Sequence, residues 1–370
     1  MSTNAGKREE ETSMKKLLVV LNKTLALKAT NRLPLMHGSM KNASPRMLAS
    51  ILALAVGANT VAFAQEYGTS ASPTYDAKAM AQPRSVVEAV LPPPAMVFTT
   101  ANYGTGGVAL RNRGAGSIGV SGVVGAVKAA FIYWAVIGPN ASAGSIIVQR
   151  RFPTPVSASV TLTGTVVGAG VNPCWVAATT PIVVYRAAIP LSIATGNGDY
   201  EVRLLPGAGG STAGGDPWVG VPLVPLWEGA SLVIIGTGGG TVNVFDLGFA
   251  GATFIPPFSY SLTLTGSATS FLWDNIGADG QIGGFPGRAA TASLSGETTT
   301  INGVLVAGPG SAFDLTGDWN GSSGFPLPQL WDDTGHAVTL PAATSTLSIT
   351  FGPATGQNDC LTSVANVVQF

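Results

Sequence analysis

The sequence predicts an all-β protein: two tandem antiparallel β-sandwiches of jelly-roll type, set behind an N-terminal leader and a linker. Three observations lead there. Short β-branched runs alternate with Gly, Pro and Asn turns along most of the chain, the pattern of sandwiches and barrels. Amphipathic stretches of helical period are absent after residue 91. Glycine (48) and proline (25) are abundant while charged residues make up only 10% of 370, which suits strands and tight turns rather than solvated helices.

Residues 1–64 read as the leader. From Met47 to Ala58 the chain is apolar and uncharged, with Lys41 and Arg46 just before it. Ala62-Phe63-Ala64 then places small residues three and one positions ahead of Gln65. Basic flank, short apolar run and small-residue cleavage site together define a secretory signal peptide. The run is shorter than the ~20 residues of a stable membrane span, so membrane contact is expected only through the signal peptide. A second weak start, Met14-Lys15-Lys16-Leu17-Leu18, leaves the translation start open. The expected location is secreted or at the cell surface.

Removing the leader changes the charge. The whole chain carries 19 basic and 19 acidic residues, but residues 1–64 hold nine Lys/Arg against three Glu. Residues 65–370 keep 10 basic and 16 acidic side chains, a net charge near −6. An acidic surface without Lys/Arg clusters argues against nucleic acid or anionic lipid as partner. Surface glycans or other surface proteins fit better.

Residues 65–96, with Leu91-Pro-Pro-Pro-Ala95, read as a stiff Pro/Ser/Ala linker. The first sandwich is expected over 97–252, from Ala126–Val136, Ser145–Gln149, Val160–Thr165, Ile182–Ala187, Asp199–Leu204, Ala230–Ile235 and Val242–Leu247. The second is expected over 253–370, from Tyr260–Thr265, Thr269–Trp273, Thr298–Val306, Ala337–Leu340, Thr346–Phe351 and Ser363–Phe370. Similar order and spacing of strands in the two halves suggests a faint internal repeat. The terminal Phe370 also raises an outer-membrane barrel, but such barrels need alternating strands of ~10 residues, and the expected strands are shorter.

Four stretches resemble a known family: Val127-Lys-Ala-Ala-Phe-Ile-Tyr-Trp134, Gly229-Ala-Ser-Leu-Val-Ile-Ile235, Leu330-Trp-Asp-Asp-Thr-Gly-His-Ala-Val338 and Asp359-Cys-Leu-Thr-Ser-Val-Ala-Asn-Val-Val368. They are similar to secreted bacterial and archaeal surface proteins that carry a DUF3344-like domain of unknown function. The resemblance covers roughly residues 97–370 and implies an extracellular β-sandwich. It carries no catalytic residues with it.

Candidate chemistry is sparse. His336 is the one histidine after the leader. No Gly-x-Ser-x-Gly elbow accompanies it, so it is expected in an exposed turn, and no catalytic residue is assigned. A histidine-based zinc site lacks further His or Cys ligands nearby. The acidic, Gly-containing loops suit calcium, which takes six to eight oxygen ligands from flexible turns. The candidates are Asp274, Asn275 and Asp279; Asp314, Asp318 and Asn320; and Asp332 with Asp333. No cofactor other than calcium is indicated. Trp218, Trp319 and Trp331 sit among Gly, Pro and Asp, where exposed indoles could stack on sugar rings. Cys174 and Cys360 are the only cysteines; in an exported protein they suggest one disulfide joining the two halves, with free thiols as the alternative. These features favour a non-enzymatic surface or extracellular protein with an adhesive or structural role. The alternatives are a calcium-assisted carbohydrate-binding module and an Asp-based hydrolase.

Overall fold

The computed structural model describes residues 89–90, 93–111, 113–154, 156–171, 180–209, 224–248, 258–281, 297–311, 318–319, 321, 329–352 and 361–370. The leader and most of the linker lie outside these residues, as do Cys174, Trp218, Asp314, Asn320 and Cys360.

The first-half strands are β1 (Ala89–Val90), β2 (Met96–Ala109), β3 (Ala115–Val120), β4 (Val127–Ile137), β5 (Ser145–Phe152), β6 (Val160–Thr163), β7 (Thr165–Val171), β8 (Pro181–Ala188), β9 (Gly198–Leu204), β10 (Leu226–Thr237) and β11 (Gly240–Asp246). The second half adds β12 (Phe258–Gln281), β13 (Thr299–Ile301), β14 (Val304–Ala307), β15 (Gln329–Phe351) and β16 (Thr362–Gln369). One large sheet runs β14-β13-β15-β12-β16-β11-β2-β10-β4-β8-β7, and β1 pairs in parallel with β12 beside that path. The other ladders are antiparallel. A second sheet of four strands runs β3-β9-β5-β6. The protein is thus all-β and sandwich-like.

Strand β4 shows why the layers stack as they do. Its even positions Ala130, Ile132, Trp134 and Val136 join a core shared with Ile146, Val148, Tyr200 and Val202 of the four-stranded sheet. Its odd positions Tyr133, Ala135 and Ile137 pack instead with Ile276, Ala278, Trp331, Val364 and Ala365 of β12, β15 and β16. The large sheet therefore turns back over itself, and β4 and β10 are covered on both faces. Double burial needs a near-continuous apolar run rather than alternation, which is what Ala-Phe-Ile-Tyr-Trp-Ala-Val-Ile supplies. A third core gathers Phe258, Tyr260, Trp273, Trp319, Leu347 and Phe351 on the far face of β12 and β15.

Several expected strands fall where the structure has them, but six are joined or divided differently. Tyr260–Thr265 and Thr269–Trp273 are one 24-residue strand, β12, because the ladder to β15 absorbs the irregular Thr263–Ser270 stretch as register shifts. Ala337–Leu340 and Thr346–Phe351 likewise belong to the 23-residue β15. Thr298–Val306 is a hairpin: Asn302 (φ 49°) and Gly303 (φ 79°) form its tight turn, the residue pair that such turns favour. Val160–Thr165 divides into β6 and β7, which lie in different sheets.

The expected disulfide is corrected. No disulfide is formed among the described residues, and Cys174 and Cys360 both lie outside them. The halves are joined instead by backbone hydrogen bonding, since Asn243 of β11 pairs with Val97 of β2 on one side and Val368 of β16 on the other. The large sheet is common to both expected sandwiches.

Candidate functional site

The expected acidic residues lie mostly on the ribbon formed by β12 and β15, and strand geometry sorts them onto two faces. Side chains alternate along a strand, and directly opposed residues of an antiparallel pair share a face. Ile276 is opposite Asp333, Asp274 opposite Gly335, and Ala278 opposite Trp331. These residues face β2 and β10. Trp273 is opposite His336, Asn275 opposite Thr334, and Gly277 opposite Asp332. These face the outer core. The acidic side chains thus form two groups rather than a single ring.

On the outer face, Asp318 is fully buried. Its Oδ1 accepts from Thr334 Oγ1 at 2.8 Å and lies 2.5 Å from His336 Nε2. Asp332, also buried, accepts the Gly321 N–H at 2.5 Å. His336 stacks on Trp273 with ring centroids 5.9 Å apart. It is therefore a strand residue turned toward a partner, not the turn-exposed histidine expected. These bonds fasten Asp318 and Gly321 to the sheet. Trp319 completes the attachment: its ring occupies the space that a Cβ on Gly277 would need, and it meets Phe351 edge-on at 5.3 Å.

On the inner face, Asp274 and Asp333 stand opposite Tyr103 and Thr105 of β2 and Ser231 of β10. Thr105 Oγ1 donates to Asp274 Oδ2 at 3.4 Å. Burial pushes the Asp274 carboxyl up to about 6 and Asp333 up to about 7, and the negative charge of Asp274 raises Asp333 further. The Asp274 carboxylate in turn holds the Tyr103 hydroxyl well above its ordinary range, after desolvation as the main cause. Asp333 Oδ2 is buried without a hydrogen-bond partner. A cleft of about 260 Å³ opens beside this group, lined by Tyr103, Thr105, Ser121, Leu272, Asp274 and His336.

Trp331 and Trp319, expected as exposed stacking platforms, are both fully buried. Trp331 Nε1 donates to Ser231 Oγ at 2.9 Å, so its indole anchors β15 on β10. Neither ring offers a face to solvent, and Trp218 lies outside the described residues. Asn275 is buried and its Oδ1 accepts from Asn366 Nδ2 at 3.1 Å. Asp279 belongs to β12 by its backbone, and its side chain lies outside the described residues. Among the described residues no three His, Cys, Asp or Glu side chains come together as metal ligands. The calcium candidates are therefore distributed between two faces, with Asp314 and Asn320 outside the described residues.

Sequence reasoning missed Tyr103, Thr105 and Ser231. The first two sit on β2, whose Asn-Tyr-Gly-Thr-Gly-Gly run reads as a turn. Those glycines answer a packing need instead, because a Cβ on Gly104 or Gly106 would overlap the carbonyl of Ser121 or Gly119. Glycine inside a strand often marks such a close backbone approach, and that signal could have found the strand.

No protein-family model matches the chain, and no curated protein matches it. Two solved structures show a distant likeness. One is a peptide-N(4)-(N-acetyl-β-D-glucosaminyl) asparagine amidase, 11% identical, covering 72% of this chain and 96% of its own with a TM-score of 0.24. The other is the Sputnik virophage, 9% identical, covering 76% of this chain and 87% of its own with a TM-score of 0.19. At these scores neither likeness establishes a shared fold, and neither bears on function.

Proposed function

We propose that the chain is an exported, non-enzymatic protein of the cell surface or extracellular space, whose β-sandwich serves adhesion or assembly. The observation that carries this reading is the use the fold makes of its ionisable groups. Glu228 pairs with Arg111, Asp246 with Arg186, Glu201 with Arg151 and Arg203, and Asp318 with His336. Apart from Glu201 with Arg203, both in β9, each pair ties one segment of the chain to another. The signal-peptide pattern before Gln65 supplies the route out of the cell. The likeness to DUF3344-like surface proteins and the finer arrangement, two tandem jelly rolls, belong to the same proposal. Separate apolar cores under the four-stranded sheet and around Trp273 and Phe351 support the latter.

The test is attachment. Cells lacking the protein should adhere or aggregate at least ~2-fold less than cells that have it, and purified residues 65–370 added back should restore the difference. Equal attachment with and without the protein, and no self-association of the purified chain, would remove the adhesive role.

A further inference from the structure

We infer that the cleft between β2 and the β12–β15 ribbon binds an alkylammonium group, carried by a free amine or by the lysine side chain of a partner. The inference goes beyond the surface role proposed above and does not depend on it.

Shape comes first. Gly104 and Gly335 sit on the cleft wall: a Cβ on Gly104 would overlap the Ser121 carbonyl, and one on Gly335 would displace the Asp274 carboxylate. The space of about 260 Å³ is smaller than the ~300–1,000 Å³ of drug-sized pockets, and suits a small ligand or a single side chain.

Charge decides what that ligand is. Buried carboxylates ordinarily have a cationic partner, and the buried Glu228 and Asp318 each have one. Asp274 and Asp333 lie diagonally on the inner face of the ribbon among hydroxyls of β2 and β10. The nearest cationic group is His336, whose charge lowers the Asp274 carboxyl while its Nε2 meets Asp318. No Lys or Arg lines the cleft. Asp274 is 7% exposed and lines the cleft itself. Asp333 does not line it, but it bonds to Thr105, which does, and its Oδ2 is buried without a partner.

An ammonium group supplies what is missing. It carries the opposite charge and three N–H donors, which can meet the Asp274 carboxylate, Thr105 Oγ1 and the Tyr103 hydroxyl. Leu272, 44% exposed, and Ala337 offer an apolar wall for the methylene stem. An anion would be repelled, and a neutral polyol would leave the carboxylates uncompensated.

The test titrates residues 65–370 with pentylamine and with pentanol, which share a stem and differ in charge, by NMR at pH 8. The amine should bind ~10-fold more tightly than the alcohol, a difference of ~1.4 kcal/mol. Asp274→Asn should bring the two within ~2-fold of each other. Should that variant fail to fold, the wild-type pH dependence serves instead: amine affinity should fall between pH 8 and pH 5 while pentanol affinity stays level. Nα-acetyl-lysine amide binding more tightly than pentylamine would assign the ligand to a protein partner, and the reverse order to a free amine. Equal binding of amine and alcohol, no amine binding at millimolar concentration, or amine binding unchanged in Asp274→Asn would overturn the assignment.

Discussion

Replacing Glu228 by Ala is expected to remove about 3–5 kcal/mol of unfolding free energy. Glu228 is fully buried, Arg111 is 3% exposed, and the two form an ion pair at the junction of β2 and β10. Glu228 stands at the register shift between Trp227 and Gly229 in the β10–β4 ladder, and its carbonyl accepts the Leu110 N–H at 3.0 Å. Alanine keeps that backbone bond and deletes only the carboxylate. The guanidinium then loses the buried carboxylate that offsets part of its desolvation. Denaturant unfolding followed by tryptophan fluorescence reads the loss. The double variant Arg111→Met with Glu228→Leu should recover most of it, because an apolar pair removes the desolvation cost of both ions. A single variant with an unchanged midpoint would show that the pair contributes nothing.

The second large effect is a loss of stability as the pH rises from about 5 to about 8. Burial raises Asp274 to about 6, Asp333 to about 7 and Glu297 to about 7. In the unfolded chain such groups release their protons near pH ~4. Between these values the folded protein holds protons that the unfolded chain has lost, so stability declines as pH increases and is lowest above about pH 7. Each unit of separation corresponds to ~1.4 kcal/mol, so the change across the window amounts to a few kcal/mol. Urea midpoints at pH 5 and pH 8 measure it, and Asp333→Asn should reduce the difference while Asp274 and Glu297 keep the rest. A midpoint that rises with pH in the wild type would contradict the burial of these carboxyls.

Much of the architecture was legible because it depends on local pattern. The apolar run of β4 and the Asn302-Gly303 turn announce themselves in sequence, since each follows from the conformational demand of one element. What escaped notice depends on contacts distant in the chain. Strand β2 hides behind its glycines, whose purpose appears only when β3 lies against them. Trp319 and Trp331 look like loop indoles until Gly277 and Ser231 provide their seats. The acidic residues were found as types, but their division into two groups follows from the register of β12 against β15. A shift of one residue would have exchanged the faces. The Asp318–His336 pair links a short acidic segment to a strand 18 positions away, and nothing in the intervening sequence marks the match.

Export is tested most directly by the N-terminus of the protein recovered from outside the cell. Intact cells and culture medium are separated from lysate, and the chain from each fraction is sequenced from its N-terminus by mass spectrometry. The predicted result is a chain beginning at Gln65, found on the surface or in the medium. A full-length chain retaining Met47–Ala64 and confined to the lysate would contradict it.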